Sequence, residues 1–364
     1  MYGVKRAEKQ TGFHTANVYI WSMENVNPVL VEVWRGKVLE SFHRGLVCIV
    51  DEEGKIVFSV GNPQQVIYPR SSLKPFQVLP LIELGGIEKF GFTLEEIAIM
   101  CGSHNGQAEH LRVVQAILTK IGATENDFDC GIHNPWLEPD VKQLYILNQK
   151  PTQLHNNCSG KHAGFLALCK LINAPLDGYL NPEHPAQKLV KAAIAQVCEY
   201  PEEQLVLGLD GCSAPVYAMP AYNMAVGYKN LGESTFSTER KNACHIVVEA
   251  MAHHAFMVAG DTRYDTEMMD ALGSEVMGKV GAEGVFGITF HNTKKLGVCI
   301  KIDDGKMHPQ YAVAQKIIAA SGLFSKEQLL PLQKFQHDDI TNHAKRVTGY
   351  FKVADDAFKD LKFK

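Results

Sequence analysis

The sequence has little of what marks membrane, secreted or nucleic-acid-binding proteins. No run approaches the ~20 uncharged apolar residues that span a bilayer. The N-terminal segment lacks the continuous apolar core and small-residue cleavage site of a secretory signal. A formal net charge of −4 over 364 residues provides no positive field for nucleic acid or anionic lipid. These absences favour a cytoplasmic protein that binds neither a membrane nor nucleic acid.

Common metal-binding and disulfide patterns are missing as well. The nine cysteines are odd in number and scattered, and there is no Cys-x-x-Cys or His-Glu-x-x-His pattern. Such cysteines are typical of reduced thiols in a reducing compartment. Hydrophobic residues make up 46% of the chain, enough for the core of a large globular domain.

Strand patterns lie at both ends of the chain, and helical patterns lie between them. Residues 29–60 and the segments EGVFGITF and KLGVCIKIDDG read as strands joined by turns. From about residue 93 to 280, apolar residues recur mostly at three- and four-residue spacing, which is typical of helices, and Thr93 with Glu96 is expected to form a capping box. The predicted fold is therefore α/β (α+β), with an antiparallel sheet from both chain ends and a central helical region.

The predicted domain organisation follows from that pattern. A single catalytic domain is expected over 29–353, with its sheet from 29–68 and 283–353 and its helical region over 69–282. Residues 1–28 are read as an N-terminal extension without an assigned function.

Two serines precede a lysine in YPRSSLKPFQ, residues 68–77. Residues three apart share a helix face and residues two apart do not, so Ser71 rather than Ser72 is expected to face Lys74. A Ser-x-x-Lys at a helix N-terminus supplies a hydroxyl nucleophile, an amine to take its proton, and backbone N–H groups for an oxyanion. The same four residues also fit a serine N-cap followed by a surface lysine.

Two further fragments stand in the order found in serine β-lactamases and penicillin-binding proteins, which share this arrangement of strands and helices. Ser103 begins SHN, where those enzymes carry Ser-Asp-Asn, and Lys279 begins KVG, where they carry Lys-Thr-Gly. The pairs would be Ser71 with Lys74 and Ser103 with Lys279. A second cation nearby favours the neutral form of a lysine, which a base requires. Each fragment alone also fits a loop serine or a solvated lysine.

Thiols, an amine and a carboxylate are concentrated in HNNCSGKHAGFL and LGLDGCSAPVYAMP. A helix is predicted to begin at about Ser159, with Cys158 and Lys161 at three-residue spacing. Asp210 and Cys212 are predicted to lie in a glycine-bearing turn. Thiolates are good zinc ligands but lysine is an unusual one, so these residues alone favour buried thiols over a metal site.

Together, RSSLKPFQ, CGSHNGQ, HNNCSGKHAGF, DGCSAPVYAMP and KVGAEGVF resemble the asparaginase II family, the rhizobial-type L-asparaginases, over nearly the whole chain. The resemblance implies a serine β-lactamase-like fold, a homodimer, and hydrolysis of L-asparagine to L-aspartate and ammonia. It implies a small-molecule amino-acid amide as substrate. One departure is Ser72, where a small apolar residue is expected.

The resemblance also assigns roles to the residues that match the family's motifs. The expected catalytic residues are Ser71, Lys74, Ser103 and Lys279, and those lining the substrate pocket are Arg70, His162 and Asp210. A zinc ion is expected beside the substrate, held by Cys158, Lys161 and Cys212. Two alternatives stay open: a penicillin-interactive serine hydrolase, and a non-catalytic metal-binding or thiol protein.

Overall fold

The structure is a computed structural model that describes residues 26–232, 235–336 and 339–363. Within them the strands are β1 Val29–Arg35, β2 Val38–Val50, β3 Ile56–Val60, β4 Val66–Ile67, β5 Val206–Leu209, β6 Pro215–Pro220, β7 Val276–Gly281, β8 Val285–Phe290, β9 Leu296–Ile302, β10 Asp339–Thr341 and β11 Val347–Val353. The α-helices are α1 Lys74–Gln77, α2 Leu79–Glu83, α3 Gly86–Phe90, α4 Leu94–Met100, α5 Ala108–Ile121, α6 Glu138–Ile146, α7 Ser159–Leu171, α8 Pro185–Val197, α9 Ala221–Gly232, α10 Thr238–His253, α11 Ala255–Val258, α12 Tyr264–Leu272, α13 Met307–Ala320, α14 Lys326–Leu329 and α15 Asp355–Phe358.

The main sheet joins the two ends of the chain. Its strand order is β10-β11-β1-β2-β9-β8-β7, with β3 also paired to β2, and all of these pairs are antiparallel. The long strand β2 pairs with β1 through its first half and with β9 through its second half. The predicted antiparallel sheet from both chain ends, with a helical region between them, is confirmed.

The boundaries of that sheet differ from the prediction. The sheet resumes with β7 at Val276, earlier than the expected residue 283. All six residues of β7 are buried, so the strand lacks the alternation of polar and apolar residues that marks a half-exposed strand. A second, three-stranded sheet of order β4-β6-β5 also lies within the predicted helical region.

Helix signals in the sequence are confirmed where local chemistry is strong. Thr93 and Glu96 form the predicted capping box at the start of α4, and α7 begins at Ser159 as expected. The buried helix α9 packs directly on the main sheet. Gly287 makes this possible, because a Cβ at that position would overlap the ring of Tyr228.

The predicted extension over residues 1–28 lies outside the described residues except for its last three. All nine cysteines are buried free thiols. Within the described ranges, no helix combines the length and apolar character needed to cross a membrane.

Candidate active site

Ser71 and Ser72 have different surroundings. Both lie in a short 3-10 helix, Arg70–Leu73, which leads directly into α1. Ser71 is partly exposed, whereas Ser72 is buried and its Oγ donates to the backbone oxygen of Lys279 at 2.8 Å. The extra hydroxyl of Ser72 therefore fastens this helix to β7, which explains the polar residue at that position.

Lys74 is a buried amine surrounded by oxygen atoms. Its Nζ contacts the carbonyl oxygens of Gly102 and, at 3.5 Å, Asn157, and the Oγ of Ser103 at 3.0 Å. Carbonyl oxygens only accept, so the Nζ of Lys74 donates to them, and it also donates to the Oγ of Ser103. Within the described ranges the side chain of Ser71 makes no hydrogen bond, so the structure links Lys74 to Ser103.

Lys279 is fully buried on β7. Its Nζ donates to the backbone oxygen of Val280 at 2.6 Å and lies 3.7 Å from the Oδ2 of Asp265. Burial lowers the pKa of Lys279 to about 8. Asp265 opposes this shift, while the positive charges of Lys74 and Arg263 add to it. Lys279 is therefore a lysine that can lose its proton near physiological pH.

The loop carrying Ser103 is held by its backbone. The N–H groups of Ser103 and Asn105 donate to carbonyl groups at the end of α11, at 2.7 and 2.8 Å. The guanidinium of Arg263 donates to the Oδ1 of Asn105 at 3.0 Å and to the backbone oxygen of Ser103 at 3.4 Å. No hydrogen bond joins Ser103 to Lys279 in the part of the chain that the structure describes, so this predicted pair lacks a direct contact.

His104, the middle residue of SHN, supports the loop from inside. Its Nε2 lies 3.0 Å from the Oγ of Ser159, and its Nδ1 accepts from the N–H of Gly106 at 3.2 Å. Burial holds the pKa of His104 well below its usual value, so the ring is neutral at physiological pH. Because Nδ1 accepts, Nε2 carries the hydrogen and donates to Ser159.

The two predicted thiols meet beside the predicted lysine. Cys158 precedes α7, and Cys212 lies in the turn between β5 and β6. Lys161 Nζ lies 2.9 Å from the Sγ of Cys212. A hydrogen bond from Cys212 lowers the pKa of the Cys158 thiol well below its usual value, and the same bond raises the pKa of Cys212. The hydrogen bond between the two sulfurs therefore favours the charged form of Cys158 and the neutral form of Cys212.

Lys161 is a charged partner of this pair. Burial opposes its positive charge, yet the sulfurs of Cys212 and Cys158 and the carboxylate of Asp210 raise its pKa above the usual value. The three groups thus share a network of opposite charges inside the protein.

Arg70 and Asp210 connect the short helix Arg70–Leu73 to this cluster. The Nε of Arg70 donates to Oδ1 of Asp210 at 2.8 Å. Burial raises the pKa of Asp210, but Lys161 and Arg70 outweigh it, and the net shift is downward. Arg70 has φ of 54°, in the left-handed region that non-glycine residues avoid. The fold thus maintains a strained backbone at the residue before Ser71.

His162 follows Lys161 on α7. Its Nδ1 lies 2.7 Å from the hydroxyl of Tyr179. Its Nε2 is buried and has no hydrogen-bond partner among the described residues, although it lies close enough to Cys212 for that thiol to oppose a fall in its pKa. Burial dominates and lowers the pKa of His162 to about 4, so the ring is neutral.

Part of this donor set is of a kind that binds zinc. The sulfurs of Cys158 and Cys212 converge, and the buried Nε2 of His162, which has no hydrogen-bond partner among the described residues, lies close to Cys212. No group of three or more His, Cys, Asp or Glu side chains in the described ranges could hold a metal ion. A third protein ligand from the expected set would therefore be Lys161, which would have to give up its proton.

Apart from Ser71, whose side chain makes no hydrogen bond within the described ranges, the predicted residues form two adjoining clusters. One contains Lys74, Ser103 and Lys279, and the other contains Arg70, Cys158, Lys161, His162, Asp210 and Cys212. The carbonyl of Asn157, beside Cys158, joins them through Lys74. The sequence analysis missed Arg263 and Asp265, because TRYD carries no motif and only the folded chain brings these two residues to the site.

A family model described as L-asparaginase II matches residues 31–353. A solved β-lactamase from Mycobacterium bovis is similar at 11% identity and a TM-score of 0.41, covering 76% of this chain and 94% of that one. No curated protein matches the chain. Because the family model spans most of the sequence and every predicted site residue, the chain belongs to the L-asparaginase II family of amidohydrolases.

Proposed function

We propose that the protein hydrolyses L-asparagine to L-aspartate and ammonia through a serine–lysine nucleophile and an acyl-enzyme. Membership of the family supports the amide substrate. The observation that carries the mechanism is the buried Lys74 amine within hydrogen-bond distance of Ser103, in the helix that follows directly from Ser71.

In the first step Ser71, which is partly exposed, is the nucleophile. Its proton passes to the neutral amine of Lys74 as its Oγ forms a bond to the side-chain amide carbon of asparagine. Backbone N–H groups at the start of the helix stabilise the oxyanion, and one well-placed donor is typically worth ~3–4 kcal/mol. The carbon–nitrogen bond then breaks, and the nitrogen takes a proton through the Lys74–Ser103 hydrogen bond and leaves as ammonia.

In the second step water attacks the ester formed on Ser71. Its proton passes to Lys74, the bond between the Ser71 Oγ and the acyl carbon breaks, and Lys74 returns that proton to the Oγ as aspartate leaves. Lys279 is assigned a supporting role in both steps, because the family resemblance pairs it with Ser103 and its positive charge acts on Lys74.

The Arg70–Asp210 ion pair suits the zwitterionic end of an amino acid. Asp210 would bind the α-ammonium group and Arg70 the α-carboxylate, since each offers the opposite charge. His162 would line the same pocket as a neutral ring. Asparagine is proposed over glutamine on family grounds, because one methylene in a pocket is worth only ~1–3 kcal/mol.

We further propose a zinc ion held by Cys158, Lys161 and Cys212. When bound, the zinc would orient the substrate, since Ser71 and Lys74 already supply nucleophile and base. Three protein ligands leave a fourth position open, which is typical of zinc sites that meet substrate.

Ammonia release from L-asparagine and L-glutamine by the purified protein tests the activity. We expect release from asparagine and its loss in Ser71→Ala. Turnover of nitrocefin without ammonia release would instead support a penicillin-interactive hydrolase.

Elemental analysis tests the zinc proposal. We expect zinc in the wild type and its loss from the Cys158→Ser/Cys212→Ser variant. Chelation should raise KM more than it lowers kcat, because lost positioning common to the ground and transition states appears in KM. Complete loss of kcat with an intact fold would make zinc the catalyst.

A homodimer and a cytoplasmic location also remain proposals that rest on the resemblance and the composition. Light scattering of the purified protein and fractionation of its cells test them.

A further inference from the structure

Asp265 is a buried carboxylate that the sequence motifs do not include. It lies in the first turn of α12 and is 1% exposed. Its Oδ1 accepts from the backbone N–H of Val280 at 3.0 Å. Its Oδ2 lies 3.7 Å from the Nζ of Lys279 and has no hydrogen-bond partner among the described residues. One oxygen therefore positions β7, and the other faces the lysine.

A buried carboxylate with an unsatisfied oxygen is costly, and a neighbouring cation offsets that cost. The Nζ of Lys279 is the cation in reach, and it already spends one hydrogen on the carbonyl of Val280. The carboxylate thus contacts both the backbone that carries Lys279 and the charge at its tip.

We propose that Asp265 is a positioning residue that holds the side chain of Lys279 in the site and stabilises its charged form. This inference rests on the proposed function, because it gives Lys279 a role in turnover. Asp265 acts through Lys279 and is not itself placed against the substrate.

The charged and titratable groups around the pair favour this reading. Lys279 is faced by Lys74 from α1, Arg263 from the segment before α12, and Cys158 from the start of α7. Both cations disfavour a charged Lys279, and Asp265 opposes them. Three tyrosines contribute to the surroundings of Asp265: Tyr264 on α12, Tyr228 on α9 and Tyr311 on α13.

The test compares the pH dependence of kcat/KM for asparagine in the wild type and Asp265→Asn. The amide keeps an oxygen for the Val280 N–H but removes the charge. If turnover requires neutral Lys279, the rising limb near pH 8 should move to lower pH by ~1–3 pH units, since an opposite charge at this distance shifts a pKa by that much. Asp265→Glu, which keeps the charge, should retain the wild-type limb.

A matched control removes another buried carboxylate away from the site. Glu96 is 3% exposed and pairs with Lys120 at 2.6 Å. Glu96→Gln should lower stability and leave the limb unchanged. Asp265→Ser is a second neutral variant, in case Asp265→Asn does not fold.

The protonation of Lys279 can also be measured directly by NMR, without an activity assay. In protein labelled with 13C at lysine Cε, the Lys279 signal is assigned by its loss in Lys279→Met, and its titration is followed in each variant. A folded neutral variant with the wild-type titration and limb would overturn the role of Asp265. Absence of ammonia release by the wild type would overturn the proposed function, while the titration would still test Asp265.

Discussion

At the scale of single residues, two neighbouring serines have different surroundings, and we propose that one is the nucleophile and the other an anchor. Ser71 and Ser72 are neighbours in one short helix, but only the hydroxyl of Ser72 is buried and committed to a backbone acceptor. The hydroxyl of Tyr228 donates to the backbone oxygen of Ser72 at 2.9 Å and fixes the same turn from α9. The bonds made by Ser72 thus fix the backbone next to Ser71, the proposed nucleophile.

Substituting each serine in turn separates the two roles. Ser71→Ala should abolish ammonia release and leave stability nearly unchanged. Ser72→Ala should keep most of the activity and lower the free energy of unfolding by ~1–3 kcal/mol, because the buried oxygen of Lys279 loses its donor. Ammonia assays and urea denaturation measure both. An inactive Ser72→Ala beside an active Ser71→Ala would reverse the assignment.

The buried amine of Lys279 makes stability depend on pH. Its pKa is about 8 in the folded protein and 10.5 for the ordinary side chain, so between these values the unfolded chain binds the extra proton. Because the unfolded chain binds that proton more readily, the free energy of unfolding decreases as pH falls from 10.5 to about 8. The stability that neutral Lys279 provides is thus complete above pH 10.5 and lost below about pH 8. The unfolding free energy of the wild type, minus that of Lys279→Met, should rise as pH increases from 8 to 10. A flat difference would contradict the lowered pKa.

At the scale of elements, the candidate site depends on how closely the short helix Arg70–Leu73 approaches β7. Gly281 ends β7, and a Cβ there would overlap the backbone oxygen of Pro69 and come within 2.8 Å of the Ser72 Oγ. The absence of a side chain lets the two elements meet, so that Ser72 in the helix bonds to the backbone of Lys279 on β7.

Gly281→Ala should therefore lower kcat/KM by ~10-fold or more, because a misplacement of about 1 Å can cost ~100-fold. Its matched control is Gly36→Ala in the turn between β1 and β2. Gly36 has φ of 56° and open space around it, so that variant should lose stability without losing activity. Equal activity in the two variants, both folded, would show that the close approach is unimportant.

The sequence allowed the elements with strong local signals to be predicted. The capping box at Thr93, the helix from Ser159 and the hairpin of β8 and β9 are confirmed. The sequence pattern did not reveal elements whose structure depends on tertiary contacts. Strand β7 is one of them, because all its residues are buried and polar and apolar residues do not alternate along it. Lys74 and Ser103 are far apart in the sequence, so the spacing of residues could not predict their contact. Asp265 likewise lies next to Lys279 only because α12 packs on β7.

At the scale of the whole molecule, the sheet interleaves the two chain ends. β1 lies between β11 and β2, with Val31 paired to Val353 on one side and His43 on the other. The N-terminal strands therefore have no complete set of partners without the C-terminal ones.

A chain that ends at residue 336 should be insoluble or unfolded. It would lose β10 and β11 and expose the hydrogen-bonding edge of β1, and such an edge promotes aggregation. Expression of this truncated chain, with circular dichroism of any soluble fraction, measures the effect. A soluble protein with a cooperative unfolding transition would show that β11 is dispensable.

The pairing of β2 with β9 also determines when the main sheet can form during synthesis of the chain. Gly45 pairs with Ile302, so an emerging polypeptide displays β1 and β2 long before the ribosome has made the strands that cover them. Contacts this distant along the chain close slowly, and the uncovered strands are vulnerable in the meantime. Under the proposed mechanism, which uses both Ser71 and Lys279, the site cannot form on a nascent chain that lacks β7. Ammonia release is then expected only from polypeptides synthesised beyond β7.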